Sequence, residues 1–178
     1  MNIHPLVVHF PIGLLVTYSV LELGAYFLSA LRRRLWLFPV KAFLLFVGVL
    51  GALMALLTGS MAAESVEGTS RFFILDVHAP FAGATTVLYL VLAAAYLVRV
   101  FDMNGWGDHI VGANTFLMRI WSFKKFFCNL VLNTWFLPVL AFLALVSITI
   151  TGALGAALVY GPDADPFVFL VYHLFWTR

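Results

Sequence analysis

Two histidines sit in near-identical phrases, Val8-His9-Phe10-Pro11 and Val77-His78-Ala79-Pro80, each at the head of a long apolar run. Imidazoles carried on facing helices can bind haem iron on both axial faces. The repeated context makes His9 and His78 the first candidate pair. Two further histidines, His4 and His173, lie near the two ends of the chain and form a second candidate site. His4 and His9 are five residues apart, about 140° around a helix, so each needs its own partner. The single cysteine, Cys128, leaves no disulfide framework and no CxxCH attachment site, so a haem here would be held non-covalently.

The elements that carry these side chains follow from composition. Of 178 residues, 63% are hydrophobic and only 10% charged, with a mean hydropathy of +1.04, which leaves too little polar surface for a water-soluble domain. A bilayer core asks for about 20 consecutive apolar residues per helix. Four stretches qualify, at about 6–29, 37–58, 79–99 and 131–160. Runs such as "GVLGALMALLTG" and "VLYLVLAAAYLV" are apolar throughout, without the alternation of a β-barrel. The expected fold is all-α: one transmembrane domain over 1–178, an up-down-up-down four-helix bundle of two hairpin repeats with a short interfacial C-terminal helix.

Charge sets the expected orientation. Arg32, Arg33, Arg34 and Lys41 fall between the first two spans, and Arg99, Arg119, Lys124 and Lys125 between the last two, so eight of ten basic residues mark one side. By the positive-inside rule that side is cytoplasmic, with both termini outside a bacterial inner membrane. The outer segments hold Glu64, Glu67, Asp76, Asp163 and Asp165 against Arg71 and Arg178, an acidic face. No basic region precedes the first apolar run, so that run reads as a retained span and not as a cleaved signal.

Spans one and three run in the same direction, which brings His9 and His78 to similar depth near the outer boundary. A proline two residues on suits a helix start, where no backbone N–H is needed, and places both histidines in or just before a first turn. Glycines on the other two spans, Gly48, Gly51, Gly152 and Gly155, would leave room for a flat macrocycle, with Gly51 and Gly155 the foremost; the simpler reading is close helix packing. His173 lies in "DPFVFLVYHLFWTR", too short to span and suited to the outer interface, with Asp165-Pro166 as its helix-start signal.

Glu22 is the one acid deep in a span, a candidate for proton uptake or quinone contact; the alternative is an ion pair with Lys41 or with the Arg32–Arg34 cluster. Glu64 and Asp76 are candidates to bond the second nitrogen of a ligand histidine. The segment 102–128, basic and aromatic, reads as a cytoplasmic amphipathic stretch on the membrane surface.

"HPLVVHFPIGLL" resembles the opening signature, HPxxVHFPI, of a family of uncharacterised bacterial inner-membrane proteins described by a domain of unknown function. "LTGSMAAE", the later His78 and "GALGAALVYG" are similar to it as well, so the resemblance covers most of the chain. It implies a four-helix inner-membrane protein associated with c-type cytochromes and electron transfer, and matches His4, His9 and His78 to the family's histidines. His173 and the 102–128 segment fall outside the match.

The function expected is that of a membrane b-type cytochrome. One haem, or two if His4 and His173 form a site, would carry electrons between quinol and a periplasmic c-type cytochrome, or within a larger respiratory complex, with quinone as a further cofactor. Membrane lipid and electron-transfer subunits are the expected partners, and nucleic acid is not. The alternatives are a cofactor-free accessory subunit, and a transition-metal site or permease built on the histidines. Neither a nucleophile with its base nor a phosphate loop appears, so electron transfer is favoured over stand-alone enzyme chemistry.

Overall fold

A computed structural model describes residues 3–64, 66–69, 71–112 and 114–176; Arg178, counted above with the outer charges, lies outside them. The described residues contain eight helices: α1 (His4–Phe27), α2 (Ser29–Arg32), α3 (Leu37–Ala63), α4 (Phe72–Met103), α5 (Trp106–Val111), α6 (Thr115–Leu132), α7 (Phe136–Tyr160) and α8 (Pro166–Phe175). Four of them, α1, α3, α4 and α7, are long and apolar enough to cross a membrane. They form the up-down-up-down bundle: α1 packs on α3, α3 on α4, α4 on α7 and α7 back on α1. Most large apolar side chains outside the core, among them Phe43, Leu57, Phe142 and Val146, stand exposed on the outside of the bundle, where a bilayer would cover them.

Helix boundaries depart from the sequence reading where local chemistry overrides hydropathy. α4 begins at Phe72 rather than near 79, because Phe72-Phe73-Ile74-Leu75 extends the apolar face and buries Ile74 against Leu154 and Ala157 of α7 and Val168 and Val171 of α8. Both repeated prolines therefore lie inside helices, and His9 and His78 sit in second turns. Pro5, not Pro11, occupies the start of α1. Each internal proline removes the backbone N–H that would have bonded the carbonyl four residues earlier, on Val7 and Asp76 respectively.

The last span begins at Phe136 rather than 131, because Val131 and Leu132 complete α6. Between them Thr134 Oγ1 donates to the Leu130 carbonyl and accepts from the Phe136 amide, ending one helix and starting the next. The 102–128 segment is two helices, not a loop. α6 is capped by Asn114, whose side chain accepts from Phe116 and Leu117, and it packs on α4 through the buried Cys128, which donates to the Ala95 carbonyl. Arg99 on α4 donates to Asn129 and Asn133, closing the same contact.

The Asp165-Pro166 signal is realised. The Asp165 carboxylate accepts from the Phe167 and Val168 amides at 2.8 and 2.9 Å, and α8 follows. α8 does more than lie at an interface. Phe73 and Phe81 of α4 meet Tyr172, Trp176 and Phe175 edge-on, so the segment is docked across the end of the second hairpin.

Candidate functional site

Along α1 one inward-facing row recurs at intervals of seven and four: His4, Pro11, Tyr18 and Glu22. On α4 the same face carries His78, Thr85, Tyr89 and Tyr96. These spacings return to one side of a helix. α1 and α4 are diagonal partners, so the two polar stripes look at each other across the bundle axis, with imidazoles at one end and phenols and a carboxylate at the other.

At the histidine end stand His4 of α1 and His78 of α4, both half-buried. Each ring is anchored by the neighbouring helix of its own hairpin. His4 Nδ1 lies 3.0 Å from Thr58 Oγ1 on α3, and Thr58 Oγ1 lies 3.1 Å from the Met54 carbonyl, so the hydroxyl donates to the backbone and the imidazole Nδ1–H donates to the hydroxyl. His78 Nδ1 lies 3.1 Å from the Thr151 carbonyl on α7, an acceptor only, so this nitrogen also carries the proton. A neutral His78 ring bonded in this way holds its lone pair on Nε2, the tautomer a metal-ligating histidine needs. Each ring rests on a glycine. A Cβ at Gly59 would stand 3.0 Å from His4 Cε1, and one at Gly155 would stand 3.3 Å from His78 Cε1.

The other predicted site residues are placed elsewhere. His9 is exposed, its Nδ1 bonded to the carbonyl of Pro5 one turn back, on the flank of α1 turned away from His4. His173 bonds the Phe169 carbonyl at 2.8 Å and its ring lies against Phe169. The two copies of the VHxP phrase are thus rotated differently: Pro11 is buried with His9 exposed in the first, and His78 is half-buried with Pro80 exposed in the second. Gly51 belongs to this packing. Its missing side chain admits the Pro11 ring, which a Cβ would meet at 3.1 Å, and Gly48 admits Leu15 in the same way. Space at Gly51 is taken by protein, so the macrocycle role expected for it gives way to close helix packing. A Cβ at Gly152 would meet nothing within 4 Å, and of the four only one at Gly155 would meet a histidine.

The middle of the bundle is spanned by side chains reaching across the diagonal. Tyr89 bonds Ser19 at 2.8 Å, both fully buried, and Thr85 bonds Ser147 at 2.6 Å on the adjacent helix. Tyr18 stands edge-on to both Tyr89 and Tyr96, and its buried hydroxyl has no hydrogen bond of ordinary geometry among the described residues. At the basic end Glu22, 4% exposed, accepts from Lys41 Nζ at 2.7 Å on one oxygen and from the Tyr96 hydroxyl at 2.6 Å on the other. The ion pair with Lys41 offered by the sequence is formed. Sequence reasoning missed Thr58, Thr151 and the tyrosines. Their signal was the recurrence of polar residues at seven and four along otherwise apolar helices.

The chain matches the family described as "Predicted membrane protein (DUF2231)" over residues 1–163. It belongs to that family. The matched part of this DUF2231 chain includes both histidines of the facing pair and the Glu22–Lys41–Tyr96 cluster, and leaves out α8 with His173. No curated protein and no solved structure matches it.

Proposed function

We propose that this DUF2231 chain is a membrane electron-transfer protein of the b-type cytochrome class, with His4 and His78 as axial ligands of one haem. The observation that carries the reading is the pair itself: two imidazoles from diagonal helices, each with Nδ1 bonded to the neighbouring helix of its own hairpin. Haem iron asks the protein for two axial ligands. A zinc or copper site asks for three or four, and among the described residues no group of three or more His, Cys, Asp or Glu is gathered to hold an ion. The donor set therefore favours haem over the bare-metal alternatives. Glu64 and Asp76 are not needed as orienting partners, since Thr58 and the Thr151 carbonyl already bond the rings.

In this reading Thr58 and Thr151 hold the rings, Gly59 and Gly155 let them lie flat against α3 and α7, and the exposed apolar flanks keep bulk water from the site. A haem so bound supplies one-electron chemistry. The positive-inside rule supports an orientation with the histidine end outside a bacterial inner membrane, where quinol in the outer leaflet and a periplasmic c-type cytochrome docking on the acidic rim would be its redox partners.

The test is a dithionite-reduced minus oxidised absorption spectrum of the purified protein and of three variants. A b-type α band present in wild type and His9→Ala and absent from His4→Ala and His78→Ala supports the assignment. Loss in His9→Ala with retention in His4→Ala would return the ligand role to the repeated phrase. A folded, colourless wild type from haem-replete cells overturns the cytochrome reading and leaves a cofactor-free accessory subunit.

A further inference from the structure

A cleft of about 520 Å³ opens at the opposite, basic end of the bundle, between the last turn of α1, α2, and the junction of α6 with α7. Its volume lies within the range of small-molecule sites, about 300–1,000 Å³. Its wall is unusual in what it leaves uncommitted. Glu22 is satisfied on both oxygens, by Lys41 and Tyr96. What remains are donors: the Arg32 guanidinium, the Tyr26 hydroxyl and the Trp135 indole, each with no partner among the described residues, and the remaining hydrogens of the Lys41 ammonium. Arg32 and Lys41 against Glu22 give the cleft a net charge of +1. Asn133 and Thr134 also line it with side chains already hydrogen-bonded, and Ala25, Leu132, Leu137 and Pro138 supply its apolar wall.

We propose that this cleft binds the headgroup of an anionic phospholipid, its phosphate held by Arg32 and Lys41. A phosphate offers acceptor oxygens, and every free side chain here can donate to it, Arg32 and Lys41 as cations. A zwitterionic headgroup would bring an ammonium into a cleft whose only carboxylate is already engaged. A soluble phosphate carries the same chemistry, but it would leave the apolar half of the cleft against water. The cleft lies at the ends of spanning helices, flanked by exposed Tyr26, Phe27 and Trp135, the aromatic belt position where lipid phosphates sit. Acyl chains leaving it would run along the apolar flank of the bundle. The site lies some 18 residues from His4, about 27 Å along α1, and does not depend on what the histidines bind.

The test is lipid titration of delipidated, detergent-solubilised full chain followed by native mass spectrometry. Wild type retains one phosphatidylglycerol per chain in preference to phosphatidylcholine. Arg32→Gln weakens it about fivefold, the loss of one cation near an anionic headgroup. Arg33→Gln, which removes a neighbouring charge that does not line the cleft, leaves it within about twofold. Arg32 makes no ion pair within the described residues, so this variant keeps the fold; unchanged thermal unfolding verifies it. Equal losses in the two variants overturn the site in favour of diffuse surface charge. Equal binding of the two lipids overturns the anionic headgroup, and binding of glycerol phosphate as strong as that of the lipid overturns the membrane source.

Discussion

Lys41 Nζ stands 2.7 Å from Glu22 Oε1 inside the bundle, and both residues are buried, at 8% and 4% exposure. They come from the end of α1 and the start of α3, nineteen residues apart, so the pair ties the first hairpin together at its basic end. Tyr96 from α4 completes the carboxylate's shell, Phe38 stacks on the Tyr96 ring at 5.2 Å, and Lys41 lies over that ring. Three of the four spans meet there.

Removing one member of this pair leaves the other charged and buried. Lys41→Met should destabilise the protein by about 3–5 kcal/mol, and Lys41→Met with Glu22→Gln should recover most of that loss. Unfolding by SDS titration in mixed micelles measures both. A single variant as stable as wild type would mean that solvent or lipid reaches Glu22.

Gly51 and Gly152 look alike in sequence and differ in surroundings. A methyl at Gly51 meets the rigid Pro11 ring at 3.1 to 3.4 Å, so Gly51→Ala should cost about 1–3 kcal/mol by pushing α1 from α3. Gly152→Ala meets nothing within 4 Å and gains helix propensity, so it should be neutral or stabilising by up to about 1 kcal/mol. Melting temperatures of the two purified variants separate them, and equal values would contradict the α1–α3 contact.

Cys128, on α6 outside the four spans, is buried and donates to the Ala95 carbonyl; burial pushes its thiol up from the usual 9.0. The folded state prefers the neutral thiol. Its contribution to stability is fully present below pH 9.0 and falls as pH rises above that, through the higher folded value. Maleimide labelling of the folded protein at pH 7 should be at least tenfold slower than after denaturation. Fast labelling at neutral pH would show that α6 lifts from α4.

Asp165 caps α8 through two backbone amides. Asp165→Ala should weaken the docked segment by about 1 kcal/mol, and Asp165→Asn should largely restore it. Limited proteolysis after Phe167–Trp176 aromatics reads the difference: faster trimming of the alanine variant, with the remaining 1–163 region intact, is the expected outcome.

Much of this was legible in the chain. Four spans, their alternation and the helix-start signal at Asp165-Pro166 follow from hydropathy, charge and short-range chemistry, and the Glu22–Lys41 pair was among the alternatives these left open. The segment 102–128 was harder, because a helix that mixes aromatics with Arg119, Lys124 and Lys125 is too polar to register as a span, and its docking on α4 runs through long-range contacts such as Cys128–Ala95.

The histidines mark the boundary between the two kinds of knowledge. That apolar runs of this length must be helices crossing a bilayer is decided by the cost of unpaired backbone groups, and the sequence alone determined it. Which side of each helix faces the axis is decided by packing. The Pro11 ring fits into the gap at Gly51, and this turns His4 inward and His9 outward; Ile74 is drawn under α8, and this lengthens α4 until His78 lies in its second turn against Gly155. A repeated phrase carries the same local preferences twice, but rotation about a helix axis is set by neighbours that the phrase does not contain. Only the tertiary structure could bring His4, rather than His9, to His78.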